Sequence, residues 1–151
     1  MKDEKAMEDK KSKVWFVTGA AKGIGKAIVD MVLSQGDCVI ATARNTEEMG
    51  GFEEYADQIL VLRLDVSDPD EIVYKRAVEA GLEKFGRIDV LVNNAGVGGV
   101  TFFEETSEET IRRMFEVNLF GLMRVTRAVL PVMRNQRSGH IFNIASGAGY
   151  S

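Results

Sequence analysis

The 151-residue sequence predicts an α/β fold in which helices cover both faces of a doubly wound parallel sheet. Two observations predict it: short apolar runs alternate with helix-period segments, and most of the runs are continuous rather than mixed with polar residues. Parallel strands covered on both faces are typically apolar in this way. The predicted strands are residues 14–17, 38–41, 59–64, 88–92 and 141–144. Their alternation with helices indicates right-handed crossovers and three layers, α/β/α.

The first predicted helix follows a glycine-rich turn and ends at Gly36, because glycine is common just past helix ends. Its apolar face is predicted to contain Ile24, Ala27, Ile28, Met31 and Val32. The next connection, residues 45–57, has a less regular pattern, and a short helix is expected there.

The second predicted helix starts at Ser67-Asp68-Pro69, which offers an N-cap side chain and a proline near the first turn. Its apolar row is Val73, Ala77, Val78, Leu82 and Phe85. The third helix is predicted to begin at Thr106, whose spacing to Glu109 matches a capping box, and to continue to Pro131 or beyond.

Composition and charge limit the classes of function. The formal net charge is −4, so a nucleic-acid partner has little electrostatic support. With one cysteine, Cys38, and one histidine, His140, we expect neither a metal site nor an internal disulfide. A protein without an internal disulfide is typical of the reducing cytoplasm. No apolar run approaches the ~20 residues that cross a membrane. We expect residues 1–12 to form a disordered charged tail without a secretory signal. Residues 13–151 are expected to form a single domain.

All five predicted strands end in polar or glycine-containing segments. These ends are Thr18-Gly19, Ala43-Arg44, Asp65-Val66, Asn93-Asn94-Ala95-Gly96 and Ala145-Ser146. Each segment alone is explained as a turn or a cap. However, the carboxyl ends of parallel strands meet at one edge of the sheet, where ligands of open α/β sheets bind. Together the five ends predict a binding crevice.

The turn after the first strand indicates what binds there. It reads Thr18-Gly19-Ala20-Ala21-Lys22-Gly23-Ile24-Gly25. We expect Gly19 to allow a sharp exit from the strand, Gly23 to admit a pyrophosphate close to the backbone, and Gly25 to let the helix pack closely on the sheet. The helix N-terminus then supplies N–H groups and positive potential for phosphates. A dinucleotide is therefore the predicted ligand.

The end of the second strand bears on which dinucleotide binds. An acidic residue there would hold the ribose 2′-hydroxyl of NAD, whereas this sequence has Ala43-Arg44. Lys22 adds a second cation on the same rim. Two cations without a carboxylate favour the 2′-phosphate of NADP(H), with NAD(H) as the alternative. The purely structural explanation is that both side chains are solvent-exposed surface cations.

Asn118 falls on the apolar face predicted for the third helix. That face also contains Ile111, Met114, Phe115, Leu122 and Val125. A buried amide needs hydrogen-bond partners, and a neighbouring backbone group would be enough to satisfy it. Gly121, close to Asn118, would let another segment of the chain approach the helix.

These motifs, in this order and spacing, resemble those of the short-chain dehydrogenase/reductase family, whose single-domain branch has a Rossmann-like sheet. The resemblance covers residue 13 to the end of the sequence. The matching segments are Thr18-Gly19-x-x-x-Gly23-Ile24-Gly25, Asp65-Val66, Asn93-Asn94-Ala95-Gly96, Val117-Asn118-Leu119-Phe120-Gly121 and Asn143-Ile144-Ala145-Ser146.

The resemblance implies a role for each matching residue. Asp65 would bind the adenine amino group with Val66 packed nearby, and residues 93–96 would line the cofactor and hold the central sheet. Ser146 would hydrogen-bond the substrate oxygen, and Asn118 would position a water in a proton relay. The implied activity is hydride transfer between NADP(H) and a small-molecule carbonyl or alcohol.

The family's Tyr-x-x-x-Lys motif, expected shortly after Ser146, is not found in the sequence. Tyr150 is too close to Ser146 and no lysine follows it, so it is expected to be a loop residue. We therefore expect the amino-terminal part of such an enzyme, inactive by itself, with residues 141–144 as an aggregation-prone edge strand. The alternative is a non-catalytic dinucleotide-binding module or pseudoenzyme. For a complete protein, the resemblance implies a homo-oligomer built through the third helix.

Overall fold

The computed structural model describes residues 12–99 and 101–147, in which five strands form one parallel sheet in the order β3-β2-β1-β4-β5. The strands are β1 (Val14–Thr18), β2 (Cys38–Ala43), β3 (Ile59–Arg63), β4 (Val90–Asn93) and β5 (His140–Asn143). The chain builds outward from β1 first on one side and then on the other. The predicted doubly wound parallel sheet is thereby confirmed.

Four α-helices accompany the sheet. They are α1 (Gly23–Ser34), α2 (Glu71–Phe85), α3 (Glu108–Phe115) and α4 (Leu122–Gln136). A π-helix, Glu116–Gly121, joins α3 to α4 without a break, and α4 continues past Pro131 as predicted. The connection 45–57 contains only a short 3-10 helix, Glu53–Tyr55, and a second one, Phe103–Glu105, precedes α3.

The helices bury both faces of the sheet. One cluster of buried side chains joins Val17, Val39 and Val92 of the strands to Val29 and Val32 of α1. The other joins Phe16, Ile40 and Leu91 to Val78 of α2 and Val129 of α4. Because successive strand residues point to opposite faces, the continuous apolar runs supply both clusters. The three-layer arrangement is the one predicted.

The buried face of α1 differs from the predicted face. Ile24 is 61% exposed and Met31 is 40% exposed. The buried residues of α1 are Gly25, Val29, Val32 and Leu33. Gly25 explains the difference, because the absence of a side chain lets this position press against the Gly19 carbonyl and thereby sets the rotation of the helix.

The second helix begins later than residues 67–69, where it was predicted to start. Its N-cap is Asp70, whose side chain accepts a hydrogen bond from Ile72 N at 3.0 Å. Ser67 instead donates its hydroxyl to Asp65 Oδ1 at 2.7 Å. The proline in this segment also disfavours helical backbone at the residue before it. The cap therefore moves to the next available carboxylate.

The third helix is capped by Ser107, one residue after the predicted Thr106. Ser107 Oγ accepts a hydrogen bond from Thr110 N at 3.2 Å. Thr106 closes the preceding 3-10 turn instead, because its hydroxyl donates to Phe102 O at 3.0 Å. The predicted capping box to Glu109 is therefore not the one that starts this helix.

At the amino ends of the strands, two buried carboxylates fix the start of β1. Asp37 accepts a hydrogen bond from Lys13 N, and Asp89 accepts one from Val14 N, both at 2.9 Å. Asp89 is also paired with the Arg87 guanidinium. These charges are thus satisfied within the fold, at the edge opposite to the polar strand ends.

The strand β5 lies at one edge of the described sheet. Its four residues are exposed, and Phe142 retains 50% of its accessible surface. An apolar edge strand with open backbone groups is prone to pair with other chains. This exposure agrees with the edge strand that the sequence predicts at residues 141–144.

Candidate functional site

The polar strand ends meet around the carboxyl end of β1. Since β1 lies between β2 and β4, the turn after it adjoins the ends of both neighbours. A cavity of about 430 Å³, the β1 crevice, opens there. The predicted site residues in its walls are Gly19, Lys22, Ala43, Arg44, Asp65, Val66, Ala95 and Gly96. This is the point where the strand order reverses, at which doubly wound sheets bind ligands.

The glycines of the turn after β1 differ in their surroundings. Gly19 has a φ of +65°, and a Cβ there would lie 2.9 Å from Ala95 Cα. A Cβ on Gly25 would overlap the Gly19 carbonyl oxygen. By contrast, a Cβ on Gly23 would meet no atom within 4 Å. Two glycines therefore close the turn, and the third leaves open space at the start of α1.

The first turn of α1 is suited to bind an anion. Lys22 occupies the N-cap position without a side-chain cap hydrogen bond, and the first turn contains no acidic residue. The first backbone N–H groups of a helix have no partner within it, and the helix dipole adds positive potential. Together with the open space at Gly23, this start of the helix fits a pyrophosphate. The predicted residue Ile24 lies exposed at the same end.

Thr18 and Asn94 lock the turn after β1 to the turn after β4. Thr18 Oγ1 accepts hydrogen bonds from Asn94 N and Ala95 N, both at 3.0 Å. Asn94 Nδ2 donates to Thr18 O at 3.0 Å and to Gly19 O at 3.1 Å. Within the segment 93–96, which the resemblance implies lines the cofactor and holds the central sheet, Asn94 is thus the residue that joins the two turns.

Asn93 lies below the crevice rather than in its wall. Its Nδ2 donates to Asn143 Oδ1 at 2.9 Å and to Thr126 Oγ1 at 3.0 Å. Its Oδ1 is buried and accepts no hydrogen bond from the part of the chain that the structure describes. Asn93 thus ties β4 to β5 and α4, whereas Ala95 and Gly96 reach the crevice wall.

Asp65 presents an ionised carboxylate to the crevice. Its Oδ1 accepts hydrogen bonds from Ser67 N at 2.9 Å and from Ser67 Oγ at 2.7 Å. Burial acts to raise the pKa of Asp65, but these hydrogen bonds and the charges of Arg44 and Arg113 outweigh it and hold the pKa below its ordinary value. A carboxylate of this kind accepts a hydrogen bond from an amino group.

The Asp65→Asn variant is expected to be less stable than the wild type at pH 7, by about 1–2 kcal/mol, because a charge-assisted acceptor is lost. The pKa of Asp65 is lower in the folded chain, so its contribution is present above the unfolded pKa of about 3.9 and is lost as pH falls through the folded pKa. Urea unfolding of both proteins between pH 7 and pH 3 measures this. A difference in unfolding free energy that stayed constant over that range would contradict it.

The two predicted cations lie on the rim of the crevice. Lys22 and Arg44 are exposed, and neither side chain forms an ion pair within residues 12–99 and 101–147. The rim also carries Glu48, whose Oε1 accepts a hydrogen bond from Asn45 Nδ2 at 3.3 Å. This carboxylate could not be predicted from the sequence, because the chain turns back to the rim only after the end of β2.

Asn118 is exposed rather than buried as predicted, and it lies in the π-helix. Its Oδ1 accepts from Val97 N and its Nδ2 donates to Val97 O, both at 2.8 Å. The backbone of Val97 therefore provides hydrogen-bond partners for the amide, as expected for a purely structural role of Asn118. The amide fixes the loop after β4, and one donor and one acceptor position remain for a further partner.

Gly121 allows the helical segment to approach the end of β3. A Cβ at this position would lie 2.5 Å from Val66 O. The wall of the crevice that carries Asp65 and Val66 is therefore in contact with the segment that carries Asn118.

Ser146 lies at the same edge of the sheet, just beyond β5. The backbone of Ile144 extends the pairing with β4 by donating to Asn93 O at 3.0 Å, and Ser146 follows two residues later in an exposed position. Tyr150 lies outside the described residues.

The described residues contain neither a metal-ligand cluster nor a membrane-spanning helix. No group of three or more His, Cys, Asp or Glu side chains in residues 12–99 and 101–147 could hold a metal ion. Within the same ranges, every helix is too short or too polar to cross a membrane.

Sequence and structure comparisons point to one family. A family model described as short chain dehydrogenase matches residues 13–151. Oxidoreductase BOA17 of Botryotinia fuckeliana is 41% identical over 140 residues, which are 91% of this chain and 50% of that protein. The crystal structure of a short-chain dehydrogenase from Streptomyces avermitilis has a TM-score of 0.86 and 43% identity, and covers 95% of this chain and 52% of that one. The chain thus spans about half the length of these relatives.

Two further similar structures contain different nucleotides. An alcohol dehydrogenase from Thermococcus sibiricus, complexed with 5-hydroxy-NADP, has a TM-score of 0.77 and 31% identity over 87% of this chain and 57% of that one. A short-chain dehydrogenase/reductase from Burkholderia phymatum, in complex with NAD, has a TM-score of 0.83 and 30% identity over 93% of this chain and 51% of that one. Similar structures therefore bind nucleotides with and without the 2′-phosphate.

Proposed function

Because the chain belongs to the short-chain dehydrogenase/reductase family of oxidoreductases and has its dinucleotide-binding fold, we propose that the protein interconverts a carbonyl and an alcohol with NADP(H). The observation that carries the proposal is the first turn of α1. It has no capping side chain and no acidic residue, and it begins beside open space at Gly23. A small-molecule carbonyl or alcohol is the proposed substrate class.

The residues of the crevice would bind and orient the coenzyme. The backbone N–H groups at the start of α1 hold the pyrophosphate. The ionised carboxylate of Asp65 accepts a hydrogen bond from the adenine amino group, and Val66 packs beside the ring. The hydrogen bonds between Thr18 and Asn94 hold the turn after β1 and the turn after β4 in a fixed relative position. When bound, the nicotinamide supplies or accepts the hydride.

Ser146 and Asn118 would act at the substrate end. Ser146 Oγ donates a hydrogen bond to the substrate oxygen and so orients the reacting carbon. Asn118 holds Val97 through both atoms of its amide, and its remaining donor and acceptor positions hold a water. In this role Asn118 positions both the loop after β4 and the water.

The preference for NADP(H) over NAD(H) is proposed from the charges on the rim. Lys22 and Arg44 are exposed cations without an ion pair in the described part of the chain. A 2′-phosphate is an anion and can form an ion pair with each of them, whereas a 2′-hydroxyl is neutral and can only accept a hydrogen bond. Glu48, on the same rim, is held by Asn45 and opposes this preference.

The Arg44→Asp variant is expected to weaken NADPH binding about 10- to 100-fold and NADH binding much less, because one charge-assisted hydrogen bond contributes about 1.5–3 kcal/mol. Fluorescence titration with each coenzyme measures the dissociation constants. The matched control is Arg76→Asp, the same charge change at an exposed position of α2 outside the crevice. Equal losses for NADPH and NADH would show that Arg44 does not bind the 2′-phosphate.

An activity assay separates this proposal from a non-catalytic dinucleotide-binding module. Oxidation of NADPH on addition of a panel of ketones and aldehydes is expected of an oxidoreductase that contains the Tyr-x-x-x-Lys motif in addition to the residues described above, and not of residues 1–151 alone. Tight binding with no oxidation by any of them would favour the module. Failure to bind either coenzyme would contradict both functions.

The same proposal includes a homo-oligomer in the cytoplasm. Exposed apolar side chains of the helical segment support the oligomer, since Phe115 is 57% exposed and Leu119 and Phe120 are also exposed. Such side chains are expected to be buried against another subunit. The single, half-buried Cys38 is consistent with a reducing compartment.

A further inference from the structure

The adenine end of the β1 crevice opens into a second cavity. This cavity has a volume of about 930 Å³ and shares Arg44 and Asp65 with the crevice. Its opposite wall is formed by α3, from which Arg112 and Arg113 contribute side chains. A group that extends from Asp65 past Arg44 therefore enters a space that α3 bounds on the other side.

The two neighbouring arginines of α3 differ in their partners. Arg112 forms an ion pair with Glu108, one turn earlier on the helix, at 2.6 Å. Arg113 forms no ion pair with any residue in the described ranges. Although burial acts to raise the pKa of Asp65, Arg113 is, with Arg44, one of the charges that lower it. Arg113 therefore lies close enough to Asp65 for its charge to stabilise that carboxylate.

Four carboxylates line the second cavity, and none of them forms an ion pair with Arg113 in the described ranges. Glu116 is paired with Arg124, and Glu108 with Arg112. Glu109 is the remaining carboxylate of the α3 wall, and its side chain is exposed to solvent. Asp65 also lines this cavity, but its carboxylate accepts hydrogen bonds from Ser67 and forms no ion pair with Arg44 or Arg113 in the described ranges. Both guanidinium groups therefore retain donors for a bound phosphate.

From this arrangement we propose that Arg113 is a second specificity-determining residue for the coenzyme, which binds the adenosine 2′-phosphate from the side opposite to Arg44. The inference rests on the proposed function, since it requires an NADP(H) site in the β1 crevice. It adds that the preference for the 2′-phosphate is set by two separate elements of the fold, the end of β2 and the helix α3.

The test compares 2′,5′-ADP with 5′-AMP, which differ only in the 2′-phosphate, by calorimetric titration of the full chain. Arg113→Ala is expected to weaken 2′,5′-ADP binding about three- to tenfold and to change 5′-AMP binding by less than about twofold. Arg113→Lys, which retains the charge, is expected to recover part of the loss. The matched control is Arg112→Ala, which removes the neighbouring arginine that is already paired with Glu108.

The outcomes distinguish the inference from the function on which it rests. If the wild type binds both nucleotides equally, the proposed NADP(H) preference is wrong, and the role of Arg113 with it. If Arg44→Asp removes the preference but Arg113→Ala does not alter it, the function stands and the inference is overturned. Equal effects of Arg112→Ala and Arg113→Ala would also overturn it, because they would indicate only a general effect of charge on α3.

Discussion

Replacing Gly25 by alanine is expected to weaken NADPH binding on the order of a hundredfold and to lower the free energy of unfolding by about 1–3 kcal/mol. The added Cβ would overlap the Gly19 carbonyl oxygen and lie 2.5 Å from Asn94 Nδ2. Neither atom can move easily, since Asn94 Nδ2 already donates to Gly19 O. The start of α1 must therefore shift away from the sheet, and its N–H groups leave the position that fits the pyrophosphate.

Gly23, which begins α1, and Gly36, which follows the end of α1, separate this effect from backbone strain. A Cβ on Gly36 meets no atom within 4 Å, and its φ of +78° resembles the +57° of Gly23. Gly36→Ala is therefore expected to cost about 1–2 kcal/mol of stability and to leave coenzyme binding unchanged. Gly23→Ala introduces the same backbone strain, and its Cβ also fills the open space beside the first turn of α1. Coenzyme titration and urea unfolding of the three variants provide the comparison, and Gly25→Ala binding as tightly as Gly36→Ala would contradict the assigned geometry.

The sheet could be predicted from the sequence because its strands are continuous apolar runs, buried on both faces. Each predicted strand overlaps the observed one, with ends that differ by at most two residues. The polar strand ends were also sufficient to indicate the crevice, because parallel strands bring their carboxyl ends to one edge. Strand pattern and strand direction together thus determine where the site lies.

The exposure of Asn118 could not be predicted, because the prediction assumed a uniform α-helix. A π-helix has a wider turn than an α-helix, so the segment Glu116–Gly121 breaks the apolar row between α3 and α4. The amide of Asn118 consequently faces the backbone of Val97 instead of the core. An apolar row that is assigned at 3.6 residues per turn gives no indication that a π-helix interrupts the α-helix.

Helix starts and side-chain partners were equally hard to predict, because several polar side chains compete for the same backbone groups. Ser67 and Asp70 are both suitable caps for α2, and the choice is decided by the carboxylate of Asp65, which takes the Ser67 hydroxyl. Glu48 was missed for a related reason. Its sequence position does not reveal that the folded chain brings it to the crevice wall.

The Thr18→Val variant is expected to lower the free energy of unfolding by about 2–4 kcal/mol and to weaken NADPH binding. The substitution conserves shape but removes Oγ1, which accepts hydrogen bonds from both Asn94 N and Ala95 N. Each of these partly buried N–H groups, if left without a partner, costs about 1–3 kcal/mol. The turn after β4 would then no longer be held to the end of β1, and the crevice wall that contains Ala95 would lose its fixed position.

Thr42→Val is the matched control, because Thr42 is the register partner of Thr18 on β2 and both residues are 1% exposed. Its hydroxyl donates one hydrogen bond, to Val17 O at 3.2 Å, and accepts none in the described structure. The same substitution there removes a donor without leaving any N–H unpaired, so a loss of about 0.5–1.5 kcal/mol is expected, with no change in coenzyme affinity. Urea unfolding and NADPH titration of both variants measure the difference. Equal losses at the two threonines would mean that the hydroxyl of Thr18 does not hold the crevice together.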